Sequence, residues 1–365
     1  MSARIAVIPG DGVGLEVVPE AVQVLEHVNP ELQFDYFDWG SQRYHELGAM
    51  RPEDGLDQLA GHDAVLLGSI GWPTVPDHIS LWEGLMPLRK AFDLYVNLRP
   101  VNLLPGLRGP LADRGPADVD MLFIRENTEG EYSGAGGSVH GAPGGSIQAI
   151  GDHEIAVEVP VFTSWAIERC ARYAFEQANA RSGKLISVTK SNASRFNYVL
   201  WDRVVDRVAA DYPTVTVEKI LVDAMAARMV LRPDTVDVVV ASNLFGDILT
   251  DLGSALQGSL GLGASGNINP EHEWPSVFEP IHGSAPDIAG QGVANPLGAI
   301  LSAAMLLRHV GDAEGATRIE GAVARVCADR RVLTRDLGGT ASTRQVGDAV
   351  MTAVASNELK LGEML

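Results

Sequence analysis

The sequence is short of cysteine, of positive charge and of long apolar runs, and each shortage removes a class of function. Its 365 residues include only two cysteines, Cys170 and Cys327, and neither has a CxxC partner. They cannot build a disulfide framework or a cysteine zinc site, and they fit a reducing, cytoplasmic setting. Lys and Arg number 28 against 47 Asp and Glu, for a formal net charge of −19. A chain this acidic is a poor partner for nucleic acid or an anionic membrane surface. The longest apolar stretch near the C-terminus, residues 299–307, is well short of the ~20 residues that span a bilayer. Residues 1–8 run straight into a strand pattern and lack the layout of a signal peptide.

What is present is enough for a large core. With 46% hydrophobic and 21% charged residues, the chain is expected to fold fully and to divide into two domains. Short apolar runs alternate with longer helical patterns, which is the signature of an α/β protein. Strands are expected at 4–8, 64–67, 121–124, 185–189, 216–220 and 236–241, and helices at 15–27, 165–180, 196–209, 247–256 and 296–309. The run 236–241 is apolar almost throughout, so both its faces are expected to be covered. Residues 134–151 are rich in Gly and Ser, lack a period and lead into 154–160, which predicts a loop or a projecting β-arm.

Two glycine motifs invite a dinucleotide-binding reading and fail it. Gly261-Leu262-Gly263-Ala264-Ser265-Gly266 has the literal G-x-G-x-x-G spacing. It follows a helical pattern and leads into Asn267-Ile268-Asn269-Pro270, so the strand–turn–helix setting is missing. In Gly10-Asp11-Gly12-Val13-Gly14, Leu15 occupies the third glycine position. No Rossmann motif remains.

Several polar residues could carry chemistry. Asp247 and Asp251 are four apart, so on a helix they share one face just past the buried strand 236–241. Paired carboxylates there suit Mg²⁺ or Mn²⁺, although read alone the pair is better explained as a solvated helix face. Asp223 follows strand 216–220 and serves as a third carboxylate or as a helix N-cap. Arg89, Arg99 and Arg125 each adjoin apolar or Pro-containing segments. As a cluster they would grip a di-acid through paired hydrogen bonds and answer the puzzle of an acidic chain with an anionic ligand. As individuals they are ordinary salt-bridge arginines. Lys190 ends strand 185–189 and is a candidate base, and Tyr132 follows the strand 121–124 region.

Together these residues form an ordered series. Leu88-Arg89-Lys90, Leu98-Arg99-Pro100, Arg125-Glu126-Asn127 with Thr128-Glu129-Gly130-Glu131-Tyr132, Thr189-Lys190-Ser191-Asn192, Val222-Asp223-Ala224, the run from Ser242 to Leu252 and the run from Glu279 to Gly290 follow one another along the chain. The series resembles the β-decarboxylating dehydrogenase family of isocitrate, isopropylmalate and tartrate/D-malate dehydrogenases. The resemblance covers nearly the whole chain. Asp77-His78-Ile79-Ser80-Leu81-Trp82, residues 126–133 and 189–192 are most similar to the tartrate/D-malate branch.

That resemblance implies an isopropylmalate dehydrogenase-like two-domain α/β fold with a large mixed sheet. Residues 1–100 and 258–365 would form the cofactor domain. Residues 101–257 would form the substrate and dimerisation domain, with a clasp arm around 134–160. The implied substrate arginines are Arg89, Arg99 and Arg125. The implied metal ligands are Asp223, Asp247 and Asp251, holding Mn²⁺ or Mg²⁺, with K⁺ a further candidate. The implied catalytic pair is Tyr132 and Lys190. NAD would be held by Glu279, His282, Gly283, Ser284, Ala285 and Asp287, with Asn295 at the adenine. NADP-using relatives carry a Lys-Tyr-like pair where this chain has Asp287-Ile288. The implied partner is a second copy of the chain, in a homodimer whose sites borrow Lys190 and Asp223 across the interface. The implied reaction is oxidation and decarboxylation of a (2R)-hydroxy dicarboxylic acid, D-malate or a tartrate, with 3-isopropylmalate as the alternative. A non-catalytic regulatory subunit should have lost some of these acids or the Tyr/Lys pair, and none is lost.

Overall fold

The computed structural model describes residues 3–139 and 155–362. One sheet of ten strands runs through it. In chain order its strands are β1 (Arg4–Gly10), β2 (Gln33–Tyr36), β3 (Ala64–Ser69), β4 (Val96–Asn102), β5 (Asp120–Glu126), β8 (Lys184–Thr189), β9 (Thr216–Leu221), β10 (Val238–Ala241), β11 (Ala264–Ile268) and β12 (Ser276–Pro280). A separate hairpin pairs β6 (Gly136–Val139) with β7 (Ile155–Glu158). The spatial order of the large sheet is β2-β1-β3-β12-β11-β4-β5-β10-β8-β9. Neighbours are parallel at both ends and antiparallel from β12 through β11 and β4 to β5. The expected mixed sheet is therefore present, and it is continuous: the division between residues 100 and 101 falls inside β4.

Period-two burial explains why the sheet has helices on both faces. Ile5 and Val7 join one apolar cluster while Ala6 and Ile8 join another, and Ala64/Leu66 alternate with Val65/Leu67 in the same way. In β10, Val239 and Ala241 face one cluster and Val238 and Val240 face the other. The apolar run 299–307 lies in the helix Leu297–His309, which is buried nearly all round. Among the described residues no helix is long and apolar enough to cross a membrane.

Every element expected from the sequence forms, with ends shifted by at most four residues. The literal G-x-G-x-x-G run becomes a short 3₁₀ turn followed by β11, without a glycine-turn-to-helix step. Gly10 and Gly12, by contrast, do lie between a strand and a helix, with φ of +73° and +57°. A Cβ on Gly12 would sit 2.1 Å from the Ser284 carbonyl oxygen, so this turn packs directly on the 279–290 segment. Within the segment 134–160, expected as a loop or arm, β6 and β7 pair antiparallel, and residues 140–154 lie outside the described residues.

β2, β4, β11 and β12 do not stand out in the sequence. β4 reads Val96-Asn97-Leu98-Arg99-Pro100-Val101-Asn102, and charge and proline both argue against a central strand. Asn97 and Arg99 lie on one face of β4 and are buried, whereas Asn102 at its end is exposed.

Candidate active site

Arg125 ends β5, Arg99 lies on the adjacent antiparallel β4, and Arg89 is in the last turn of the helix Met86–Ala91. All three are at least 95% buried. Asn97, paired with Arg125 across the β4–β5 ladder, shares its face, and Arg99 two residues on shares it too. Asn267 pairs with Asn97 from the other side, so it also lies on this face.

Asp247 ties the cluster together. One of its oxygens accepts hydrogen bonds from Arg125 Nη1 and from Arg99 Nη1, the latter at 3.2 Å, and the other accepts the Tyr132 hydroxyl at 3.2 Å. Asp247 stands on the helix Asn243–Leu256, which begins four residues earlier than the sequence pattern suggested. One face of that helix carries Asn243, Gly246, Asp247 and Thr250. Asn243 Oδ1 accepts from Arg125 Nε and Nη2 at 3.0 and 2.7 Å, and Thr250 Oγ1 accepts from Arg99 at 2.6 Å. Gly246 gives Arg125 its room, because a Cβ there would lie 2.7 Å from Arg125 Cβ and Cγ.

Tyr132 is carried to this place by its neighbours. Glu131 accepts the Leu244 backbone N–H at 3.0 Å and a Ser242 hydroxyl contact at 3.2 Å, which pins the segment to the start of the same helix. Glu129 accepts from the Thr163 backbone N–H at 2.9 Å and fixes the other side.

The electrostatics favour an anion. Burial, aided by the repulsion of Arg125, lowers Arg89 and Arg99 to about 10, and both stay charged at neutral pH. Burial would raise the Asp247 carboxyl, but attraction to Arg125, Arg99 and Arg89 outweighs it and holds the group below its usual range. Partial desolvation raises Asp251, which remains exposed at its outer side, and burial raises Tyr132, whose proton the Asp247 charge helps to retain. Among the described residues Arg89 donates no hydrogen bond, and its nearest carboxylate oxygen, Glu279 Oε1, is 3.6 Å from Nη2. Arg89 and Arg99 line a cavity of about 260 Å³ together with Ser69, Leu81, Leu85, Glu279 and His282. An acidic chain has thus gathered three buried guanidiniums among Asp77, Asp247 and Glu279, with the Arg89 donors unused among the described residues.

Lys190 and Asp223 stand elsewhere on the same edge of the sheet. They follow the adjacent parallel strands β8 and β9 and form an ion pair with each other. Asp223 lies in the first turn of the helix Val222–Leu231 and makes no cap, so that reading of it does not hold. Among the described residues neither side chain forms a hydrogen bond or ion pair with Tyr132, Asp247 or Asp251. Among the described residues no three acidic, His or Cys side chains stand close enough to hold a metal ion.

A second cavity, about 600 Å³, shares Ile281, His282 and Gly283 with the first and extends along Asp251, Ala285, Ile288, Asn295, Arg335 and Asp336. Of the expected cofactor residues, His282, Gly283, Ala285 and Asn295 line it. Glu279 lines the smaller cavity, while Ser284 contributes a backbone carbonyl that accepts from Val13 N–H at 2.9 Å. Asp287 is exposed and lines neither cavity. His282 Nδ1 contacts the Gly283 carbonyl at 3.0 Å and its Nε2 is buried without a partner; burial lowers its pKa. Asn295 is braced by Asp336 at 2.9 Å.

The isocitrate/isopropylmalate dehydrogenase family matches this chain over residues 4–350. The chain belongs to that family. A probable tartrate dehydrogenase/decarboxylase of Agrobacterium vitis is 48% identical to this family member over 98% of each chain. The D-malate dehydrogenase [decarboxylating] of Escherichia coli is 45% identical, covering 95% of this chain and 97% of that protein. The crystal structure of isocitrate dehydrogenase from Methylococcus capsulatus superposes with a TM-score of 0.87 at 35% identity, covering 97% of this chain and 99% of that one.

Two of the three expected acids fit the divalent cation this family implies. Asp247 and Asp251 offer hard oxygen donors from one helix face, and Asp251 accepts no hydrogen bond among the described residues. Burial that raises a carboxyl is relieved by a bound cation. Asn243, Thr250, Glu131 and Asp336 also build the site and were not singled out in the sequence. The first two recur with Asp247 at helical spacing, a signal that a helix starting at Asn243 would have exposed.

Proposed function

We propose that this chain is an NAD-dependent, divalent-metal-dependent dehydrogenase. It oxidises a (2R)-hydroxy dicarboxylic acid, D-malate or a tartrate, and decarboxylates the resulting oxo acid. The observation that carries this reading is the convergence of buried Arg89, Arg99 and Arg125 on the Tyr132–Asp247 contact. The names of the tartrate and D-malate relatives support the choice of substrate.

The arginines hold the two carboxylates by paired charge-assisted hydrogen bonds. Lys190 takes or relays the proton of the 2-hydroxyl. His282, Gly283, Ala285 and Asn295 would hold NAD in the larger cavity, where it would supply the hydride acceptor. Mn²⁺ or Mg²⁺ held by Asp247 and Asp251, with Asp223 of the partner subunit, would supply Lewis-acid stabilisation for negative charge on the 2-oxygen. After the bond to the leaving carboxylate breaks and CO₂ departs, Tyr132 delivers its phenolic proton to the carbon left behind. Burial and Asp247 keep that proton on the Tyr132 oxygen until it is needed.

Lys190 and Asp223 act in trans in this reading, within a homodimer. The exposed Val230, Leu231 and Ile248 on the helices Val222–Leu231 and Asn243–Leu256 support an apolar interface. Residues 1–100 with 258–365 serve as the cofactor domain and 101–257 as the substrate and dimer domain, with the 134–160 hairpin as clasp. The location proposed is cytoplasmic.

Leu81 and Leu85 beside Arg89 favour a second reading, 3-isopropylmalate, whose branched substituent they would contact. NADH or NADPH formation from D-malate, the tartrates, 3-isopropylmalate and isocitrate with Mn²⁺ tests both. The expected result is kcat/KM for D-malate or a tartrate at least about tenfold above isopropylmalate, with NAD. The reverse order assigns the second reading.

A further inference from the structure

Beneath Arg89 lies a buried amide network that the chemistry above does not use. Asn267 Oδ1 accepts from Asn97 Nδ2 at 3.0 Å and from Asn127 Nδ2 at 2.9 Å. With its oxygen committed to two donors, the Asn267 amide must turn its nitrogen the other way. That nitrogen donates to Glu279 Oε1 at 2.8 Å and to the Val277 carbonyl at 3.3 Å. Flipping the amide would set oxygen against oxygen on one side and donors against a donor on the other. The orientation is therefore fixed by the neighbours. The three asparagines are fully buried, and Asn97 Oδ1 and Asn127 Oδ1 are left without partners. Unpaired buried acceptors are a stability cost, and such costs are retained mainly where a site requires them.

The network's output is the place of one carboxylate oxygen. Glu279 Oε1 is hydrogen-bonded to Asn267 and stops 3.6 Å from Arg89 Nη2. The Glu279 carboxylate has no other hydrogen bond among the described residues. Opposite charges this close in a buried setting attract strongly, yet Arg89 keeps its donors free.

We propose that Asn267 is a positioning residue for substrate binding: it restrains Glu279 from closing onto Arg89 and so keeps that guanidinium available for a substrate carboxylate. Glu279 remains near enough to stabilise the buried positive charge before substrate arrives. Without the Asn267 donor, Glu279 tightens its 3.6 Å ion pair with Arg89 into a direct hydrogen bond and competes with the substrate. The proposal rests on the di-acid reading of the site.

A double-mutant cycle tests it. Asn267→Ser and Asn267→Leu, the second closer in volume should the smaller side chain prevent folding, are each made with Glu279 intact and with Glu279→Gln. The calorimetric Kd for D-malate is measured alongside KM and kcat. With Glu279 intact, Kd and KM should rise by about tenfold, the scale of one charge-assisted hydrogen bond, while kcat stays within about twofold. In the Glu279→Gln background the same substitution should add no further rise, because the competitor is gone. An equal loss in both backgrounds, or a fall in kcat at constant KM, means that Asn267 is merely structural and overturns the proposal. Should the wild type neither bind nor oxidise D-malate, the substrate reading has failed instead. The cycle is then run with whichever di-acid of the panel binds.

Discussion

Tyr132 and Asp247 share a hydrogen bond of 3.2 Å, made to the carboxylate oxygen that the arginines leave free. The other oxygen is occupied by Arg99 and Arg125. Asp247 therefore links Tyr132, the proposed proton donor, to the arginines proposed to bind the substrate carboxylates. Asp247→Asn keeps the shape and removes the charge. Activity should fall by about 100-fold or more, as when one preorganised electrostatic group is lost from an active site, while circular dichroism and the melting transition show a folded protein. Unchanged rate and unchanged Mn²⁺ dependence would return Asp247 to the role of a helix-surface acid.

Gly246 offers a steric test of the same cluster. A Cβ there would lie 2.7 Å from two carbons of Arg125, whose side chain is almost fully buried and has nowhere to retreat. Gly246→Ala should cost about 1–3 kcal/mol of stability as overpacking and raise KM for the di-acid. The melting curve and steady-state kinetics check both effects. Wild-type KM in this variant would separate Arg125 from substrate binding.

Stability should depend on acid through His309. Burial, with a smaller push from His272 stacked 4.1 Å away, lowers His309 from an ordinary 6.5 to about 4. The native state then holds a neutral ring where the unfolded chain takes up a proton. Between pH 6.5 and 4 the unfolded state binds more protons, so stability falls as pH falls and is flat above that window. The full effect is about 3 kcal/mol. His309→Gln should flatten the slope of unfolding free energy against pH in that window, measured by denaturant titration. An unaltered slope would assign the acid sensitivity to other groups.

The parts of the fold that were legible in the sequence are those where one residue pattern had one cause. β3 and β10 are buried at every position and read as continuous apolar runs. The antiparallel centre was hidden because its residues answer to the site as well as the sheet: β4 carries Arg99 and Pro100, and β11 is Ala264-Ser265-Gly266-Asn267-Ile268. Arg89, Arg99, Arg125, Tyr132 and Asp247 were found through the ordered series of motifs, and the fold brings them to one end of the sheet. Asn267 was passed over because it lay inside a glycine motif rejected for another function. Its value comes from Asn97, Asn127 and Glu279, which are distant in the chain and meet only through strand pairing.

Lys190 and Asp223 pair with each other at the same end of the sheet and not with Asp247. In a homodimer with shared sites, Arg99 and Lys190 of one site come from different subunits. Arg99→Ala and Lys190→Ala homodimers should each be nearly inactive, because every site lacks one essential group. In a hybrid dimer two-fold symmetry gathers both lesions into one site and leaves the other whole. Random re-association of equal amounts makes about half the dimers hybrid and restores roughly a quarter of wild-type sites. The two variants are dissociated, refolded together and assayed for NADH production beside each refolded alone, with hybrids counted by native mass spectrometry. Recovery near a quarter would support Lys190 acting on its partner's substrate. Absence of recovery with hybrids present would put Arg99 and Lys190 to work in the same subunit, and the ion pair to Asp223 would then have to open within one chain.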